Sequence, residues 1–449
     1  MCHDRSVATG IAHMRVAIVG SGIAALGAAH GLRGKADLTL FEANDYFGGH
    51  THTVDIALPT PQGLVSHGVD TGFLVFNERT YPQLIALFAE LGVETAPSEM
   101  SFSVQVGRGA GALEWSGSSL GSVFAQRANL LRTDFWRMLR DVVRFNSLTT
   151  RIAKAAQEEQ LQQPIGAFLQ QHRFSEAFCN WYFLPMMGCI WSCPTRQMLQ
   201  FPVATMIRFC HNHGLLQVTN RPQWHTVRGG ARHYVDRILE ALADKRLGTP
   251  VRAIARVPGA VQISTDQGTE LFDHVVIGTH SDQALALVHD ATPGERAVLG
   301  AIRYHPNRAV LHTDASVLPS RKSVWAAWNY ERAAQMPGLP DAEAGHVCLH
   351  YLLNLLQPLP WSQPVVVSLN PQRAIAPEHV LGVFDYHHPV LDMAAVKAQH
   401  ELDALQGFGG THFCGAWTGY GFHEDGLKSG LAAARRILHH QDAAQRQAA

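Results

Sequence analysis

The sequence predicts an α/β fold, with a discontinuous Rossmann-like dinucleotide-binding domain and an α+β domain inserted into it. Three observations carry the prediction. A run of β-formers, Arg15–Val19, passes directly into Gly20-Ser21-Gly22-Ile23-Ala24-Ala25 and then a small-residue helix pattern. Similar strand and helix material returns at about 224–289 and again at 410–440. The stretches between differ in character. Residues 81–223 read as helical and aromatic, and residues 290–409 are rich in Pro, His and short β-like runs. The dinucleotide-binding domain is therefore expected to take 14–80, 224–289 and 410–440, and the inserted domain 81–223 and 290–409. Residues 1–13 and 441–449 read as tails, the last of them frayed. A chain of 449 residues has room for about three units of ~150 residues.

The first turn has a physical reason for each small residue. Gly20 permits the sharp bend, and Gly22 lets backbone approach a pyrophosphate. Ala25 keeps the helix close to the strand, and the helix N-terminus attracts the anion. Ser21, Ile23 and Ala24 complete the cradle. A second strand, Asp37–Phe41, ends in Glu42, and 42 − 22 = 20 residues separate that carboxylate from Gly22. This spacing suits a bond to a ribose hydroxyl and disfavours a 2′-phosphate.

Composition excludes other classes. Lys+Arg is 36 and Asp+Glu 37, a net charge of −1, so a basic nucleic-acid binder is not expected. Seven cysteines include no C-x-x-C pair, which reads as reduced thiols and a cytoplasmic location. Residues 1–13 lack the apolar run of a signal peptide, and no stretch is long and apolar enough to span a membrane. The 26 histidines pair at His50/His52, His211/His213, His387/His388 and His439/His440, without zinc-site spacing. No metal site is expected, and most of these histidines read as surface or loop residues.

Past Glu42 comes Tyr46-Phe47-Gly48-Gly49-His50-Thr51. The doubled glycine resembles the signature of the superfamily of flavin amine oxidases, protoporphyrinogen oxidase and phytoene desaturases. The run THFCGAWTGYGFHEDGLKSGLAAARRIL resembles its closing flavin motif, with Asp425, Gly426 and Leu427 at the first three positions, and Ser429 and Gly430 following. The resemblance implies FAD as cofactor. It implies contacts from Gly48, Gly49, His50 and Thr51, from the turn Thr71-Gly72-Phe73, from Gly415, and from Asp425, Gly426 and Leu427. It also implies a backbone contact from Val251 to the adenine. Where relatives carry arginine after the glycine pair, this chain has His50, which lacks a permanent charge and a bidentate fork. Trp417, Tyr420 and His423 are candidates for the substrate pocket beside the flavin.

Flavin chemistry needs no dedicated acid or base, so no catalytic residue is assigned. Amine oxidases of the superfamily often carry a lysine near the flavin, but the comparable stretch Ala301–Thr313 holds Asn307 and Arg308 instead. The segments GYGFHEDGLKSG and VDTGFLVFN look most like a bacterial branch whose relatives often accompany cyclopropane-fatty-acid-synthase-like enzymes. That implies oxidation of a C–H bond in an apolar substrate, a fatty-acyl or other lipid chain, of desaturase or oxidase type. The alternatives are a flavin amine oxidase, a redox-neutral flavin isomerase and a flavoprotein partner subunit without chemistry of its own. Residues 174–191, the most aromatic stretch, read as core packing or as a pocket wall. Residues 121–145 read as one basic amphipathic helix, either a solvated face or a peripheral contact with anionic lipid.

Overall fold

The computed structural model describes residues 14–109, 111–157, 161, 163–216, 221–332 and 347–448. The expectations for residues 1–13, Cys2 included, lie outside them. The architecture is α/β. Five short strands form an all-parallel sheet in the order Asp244–Arg246, Asp37–Phe41, Arg15–Val19, His274–Ile277, Thr411–Phe413. The central strand is buried from Val16 to Val19, as a parallel strand covered on both faces must be. Strands Val251–Val257, Ala260–Thr265 and Gly268–Phe272 form an antiparallel meander beside it.

The helix Ile23–Leu32 is apolar all round, with only His30 and Gly31 outside its buried set. One side meets the sheet and another meets the closing helix His423–Ala448. Small residues set that contact. A Cβ on Gly430 would lie 1.9 Å from the Ala24 carbonyl oxygen, and one on Gly31 would lie 2.8 Å from Ala434. The closing helix extends to Ala448.

The second large sheet has seven strands, in the order Val380–Val390, Arg303–His312, Val366–Leu369, Cys348–Leu352, Trp328–Arg332, Phe102–Val106, Leu113–Ser116. Only the Trp328–Arg332/Phe102–Val106 pair is parallel. Its strands come from both sides of the chain's middle segment. Part of the stretch read as helical is strand instead: Thr95–Ser98, Phe102–Val106 and Leu113–Ser116. The expected helix over 121–145 also needs correction. It is a short helix Leu120–Val123, a 3₁₀ turn Arg127–Leu131 and a long helix Thr133–Lys154. That helix buries Phe135, Met138, Asp141, Phe145 and Thr149, a spacing of three or four residues that puts them on one face. The six described cysteines are free.

Candidate active site

A cavity of about 760 Å³ runs from the first parallel strand toward the helical layer. Its first end is the turn Gly20–Gly22. Gly22 caps the helix Ile23–Leu32 with no side-chain hydrogen bond, and no acidic residue stands in the first turn. The orphan backbone N–H groups of that turn remain available to an anion. A Cβ on Gly22 would meet nothing within 4 Å, so the space in front of this glycine is open. Gly49 closes the cradle from the other side, because a Cβ there would lie 3.2 Å from the Gly22 Cα. Gly48 (φ +122) and Gly49 (φ +59) both have backbone that side chains rarely adopt.

One hydrogen-bonded chain holds these turns together. The Glu42 carboxylate is buried and accepts from the Ser21 backbone N–H at 2.9 Å and from its hydroxyl at 2.5 Å. Its other oxygen accepts from the Asn44 N–H at 2.9 Å. The Ser21 hydroxyl in turn accepts from the Gly48 N–H at 3.0 Å. Glu42 therefore faces the cavity with its orientation fixed. The sequence offered no signal for the role of Ser21 in tying the two glycine turns.

Of the remaining sequence-predicted residues, Ile23, Ala24, His50, Gly72, Phe73, Val251, Gly415, Trp417 and His423 line the cavity. Others do not. Ala25 packs under Gly278, whose own Cβ would lie 2.6 Å from it. Thr51 and Thr71 lie behind the wall. Thr51 Oγ1 shares a hydrogen bond of 2.9 Å with His423 Nε2, and Thr71 Oγ1 one of 2.7 Å with the Tyr386 hydroxyl. Asp425 turns back on its own loop and accepts from the Tyr420 and Phe422 N–H groups at 3.1 and 3.0 Å. Gly426 packs on Ile23, and Leu427 is fully buried against Gly27. Gly426 and Gly430 thus serve helix–helix contact. Tyr420 also stays outside the lining, where its carbonyl accepts from the Trp191 indole at 3.1 Å.

The histidines are the main correction. His50, His280, His387 and His388 gather on one wall, with His50 5.5 Å from His388 and 5.1 Å from Tyr386, ring to ring. His280 stacks on Tyr304 at 4.3 Å. Burial, and then the neighbouring histidines, lowers His50 and His280 to about 4 and His388 to about 3. His423, stacked on Phe73 at 3.7 Å, is lowered to about 3 by burial and then by His50. His50, His280, His388 and His423 are therefore neutral near pH 7 and offer hydrogen bonds without fixed charge. His50 was marked in sequence by its place after the glycine pair and His387/His388 by being a doublet, but nothing there showed that they share one wall with His280.

The far end is aromatic. Phe209 lies 4.7 Å from Trp191, 5.0 Å from Phe422 and 3.9 Å from His213. Trp224 and Tyr81 extend this cluster, and Trp328 and Tyr351 pair at 5.0 Å. Of the aromatic stretch 174–191, Phe178, Phe183 and Met187 are core, whereas Cys189, Ile190 and Trp191 line the cavity. No lysine is among the described lining residues, and the acids there are Glu42 and Asp385. Asn307, in the stretch where relatives carry lysine, is buried and donates to His388 Nδ1 at 2.8 Å.

Away from the cavity, Glu331, Cys348 and His350 bring three metal-capable groups together. They form a hydrogen-bonded chain of their own. His350 Nε2 lies 2.9 Å from Glu331, and Arg108 donates to the other Glu331 oxygen at 2.6 Å. Burial opposes charge on both partners, yet Cys348 and Glu331 hold His350 up to about 9, and His350 and Arg108 pull Glu331 down to about 2.

Comparison with known proteins agrees with this geometry. The family described as flavin containing amine oxidoreductase matches residues 21–352, well over half of the chain. No curated protein sequence matches. Among solved structures, cyclohexylamine oxidase from Brevibacterium oxydans IH-35A superposes with TM-score 0.64 at 16% identity, covering 96% of this chain and 100% of its own. The CLA-producing fatty acid isomerase from P. acnes gives 0.64 at 16%, covering 94% and 98%. Putrescine oxidase bound to putrescine gives 0.64 at 15%, covering 95% and 99%. At these identities the structures speak for the fold. The open cradle at Gly22, the oriented Glu42 and the uncapped helix N-terminus fit the phosphates and ribose of FAD. This chain belongs to the flavin containing amine oxidoreductase family and is an FAD-dependent oxidoreductase.

Proposed function

We propose that the enzyme oxidises a C–H bond of an apolar substrate of the fatty-acyl class. The observation that carries this reading is the far end of the cavity. Trp191, Phe209, Trp224, Trp328 and Phe422 wall it, and no carboxylate stands among them to hold a cationic amine. An ammonium group taken out of water into such a chamber would lose its hydration without a counter-charge, whereas an alkyl chain would gain from burial.

In this reading the Gly20–Gly22 turn and Gly49 bind the phosphates, Glu42 the ribose and Val251 the adenine edge. FAD, when bound, supplies the hydride acceptor. Trp417 is held across the cavity by its indole, which donates to the Thr279 carbonyl at 3.2 Å. Gly415 makes room for it, since a Cβ there would lie 2.2 Å from that indole nitrogen. The aromatic walls orient the chain of the substrate and exclude water. The neutral histidines supply hydrogen bonds where relatives use a permanent cation.

Anaerobic bleaching of the yellow holoenzyme tests the proposal. A long-chain fatty acid or its thioester is expected to bleach the flavin, and an alkylamine is not. Bleaching by amines alone would overturn the acyl reading. Conversion of an acyl substrate without net electron transfer would point instead to isomerisation.

A further inference from the structure

The segment from Leu120 to Lys154 is not used by the active site, and its outer face has an unusual composition. Leu131 (89% exposed) and Leu120 (81%) are the two most exposed large apolar side chains among the described residues. Trp136 and Val143 are also exposed. On the helix Thr133–Lys154, Trp136, Arg140, Val143 and Ser147 recur at i, i+4, i+7 and i+11, opposite the buried face of Phe135, Met138 and Phe145. Seven Lys or Arg residues and two Asp residues lie between Leu120 and Lys154, a net charge of +5 in a chain whose total is −1. Arg137 pairs with Asp134, Arg140 and Arg144 reach Asp141 at 4.0 and 3.7 Å, and Arg144 also donates to the His172 carbonyl and lies over Phe174, yet Arg137, Arg140 and Arg144 all remain exposed.

From this pattern we infer that the face is a docking surface for an anionic lipid bilayer. Exposed Leu and Trp side chains would enter the headgroup–acyl boundary while the arginines meet the lipid phosphates and carboxylates. The alternation of apolar and cationic groups on one face suits that boundary better than it suits a dry protein contact, where the exposed guanidinium groups would have to give up their water. Among the described residues, no helix is long and apolar enough to cross a bilayer.

The face also lies close to the cavity. The helix Val203–Asn212 packs on the helix Thr133–Lys154, and the turn after it sends Leu215 into the main cavity and Leu216 into a hollow lined by Asn146, Thr150 and Arg151. A surface-bound enzyme would thus present this side of the cavity to the bilayer. The inference does not depend on the substrate proposed above, because binding is measured without turnover.

The test is co-sedimentation of the full-length holoenzyme with vesicles of phosphatidylcholine containing phosphatidylserine, beside vesicles of phosphatidylcholine alone. Binding is expected to the anionic vesicles and to fall at high salt. Arg137→Gln and Arg140→Gln should each weaken it about fivefold. Leu131→Ser should weaken it at low salt too, while Leu64→Ser, an exposed site on the separate hairpin Thr53–Asp70, should leave it unchanged. Absence of binding to anionic vesicles would overturn the inference, as would an equal loss from Leu64→Ser. So would sedimentation velocity showing a dimer that Leu131→Ser dissolves, since the face would then belong to a second copy of the chain.

Discussion

Two glycines that look equivalent in sequence should fail in opposite ways when changed to alanine. Gly22 has extended backbone (φ −65°, ψ 170°) and open space where a Cβ would go. Alanine fits there without strain, so Gly22→Ala should leave the apo-protein as stable as before or up to ~1 kcal/mol better, by restricting the unfolded chain. Gly430 differs. Its Cβ would lie 1.9 Å from the Ala24 carbonyl oxygen and 2.9 Å from the Ala28 nitrogen, both backbone atoms that cannot swing aside. Overpacking typically costs about 1–3 kcal/mol, and a backbone clash belongs at the upper end. Unfolding entropy of about 2.1 cal/mol/K per residue over 449 residues is roughly 0.9 kcal/mol/K, so ~3 kcal/mol lowers Tm by roughly 3 °C. The two variants should exchange places in FAD titration. A methyl on Gly22 projects into the cradle and displaces the phosphates, so affinity should fall at least tenfold, about 1.4 kcal/mol. Gly430→Ala should lose stability first and affinity second. Thermal unfolding of the apo-protein and fluorescence titration with FAD read both quantities. The reasoning fails if Gly22→Ala lowers the apo Tm as far as Gly430→Ala does, or leaves FAD affinity untouched.

Two further predictions follow from the same geometry. Ser21→Ala removes the acceptor of the Gly48 N–H and one donor to Glu42, so urea unfolding of the apo-protein should show a loss of about 1–3 kcal/mol. An unchanged midpoint would show that this chain of bonds is not structural. The second concerns acid. His423, lowered to about 3, contributes stability that is fully present above the unfolded value near 6.5 and is lost as pH falls toward the folded value. Asp70 and Asp425, raised by burial to about 6, act in the opposite sense below that pH and offset part of the loss. His423→Gln should therefore flatten the fall of unfolding free energy between about pH 6.5 and 4 by up to ~1.4 kcal/mol per pH unit, in urea melts. An identical slope in both proteins would refute the buried neutral state of His423.

The sequence by itself determined the fold class and the cofactor. The strand–turn–helix at Arg15–Leu32, the acid at residue 42 and the glycine pair at 48–49 are local features, because a dinucleotide is gripped by backbone within a few residues of each glycine. Hydrophobic runs likewise marked the central parallel strands, whereas the edge strand Asp244–Arg246, three charged residues, carried no such signal. What only tertiary structure decided were properties set by distant partners. The close approach that Gly426 and Gly430 permit depends on which backbone lies opposite, and the helix Ile23–Leu32 is what an added Cβ would meet at both. Asp425 sits in a motif that resembles a flavin contact, yet it accepts from N–H groups three and five residues back. The histidines illustrate the limit best. His50, His280 and His388 lie on three separate segments, and titratable groups take their charge state from burial and neighbours, which no local pattern encodes. The same holds for residues 121–145. Their charge and apolar content were legible, but whether Leu131 faces core or solvent was settled by a break at Arg132, where the 3₁₀ turn ends and the long helix begins.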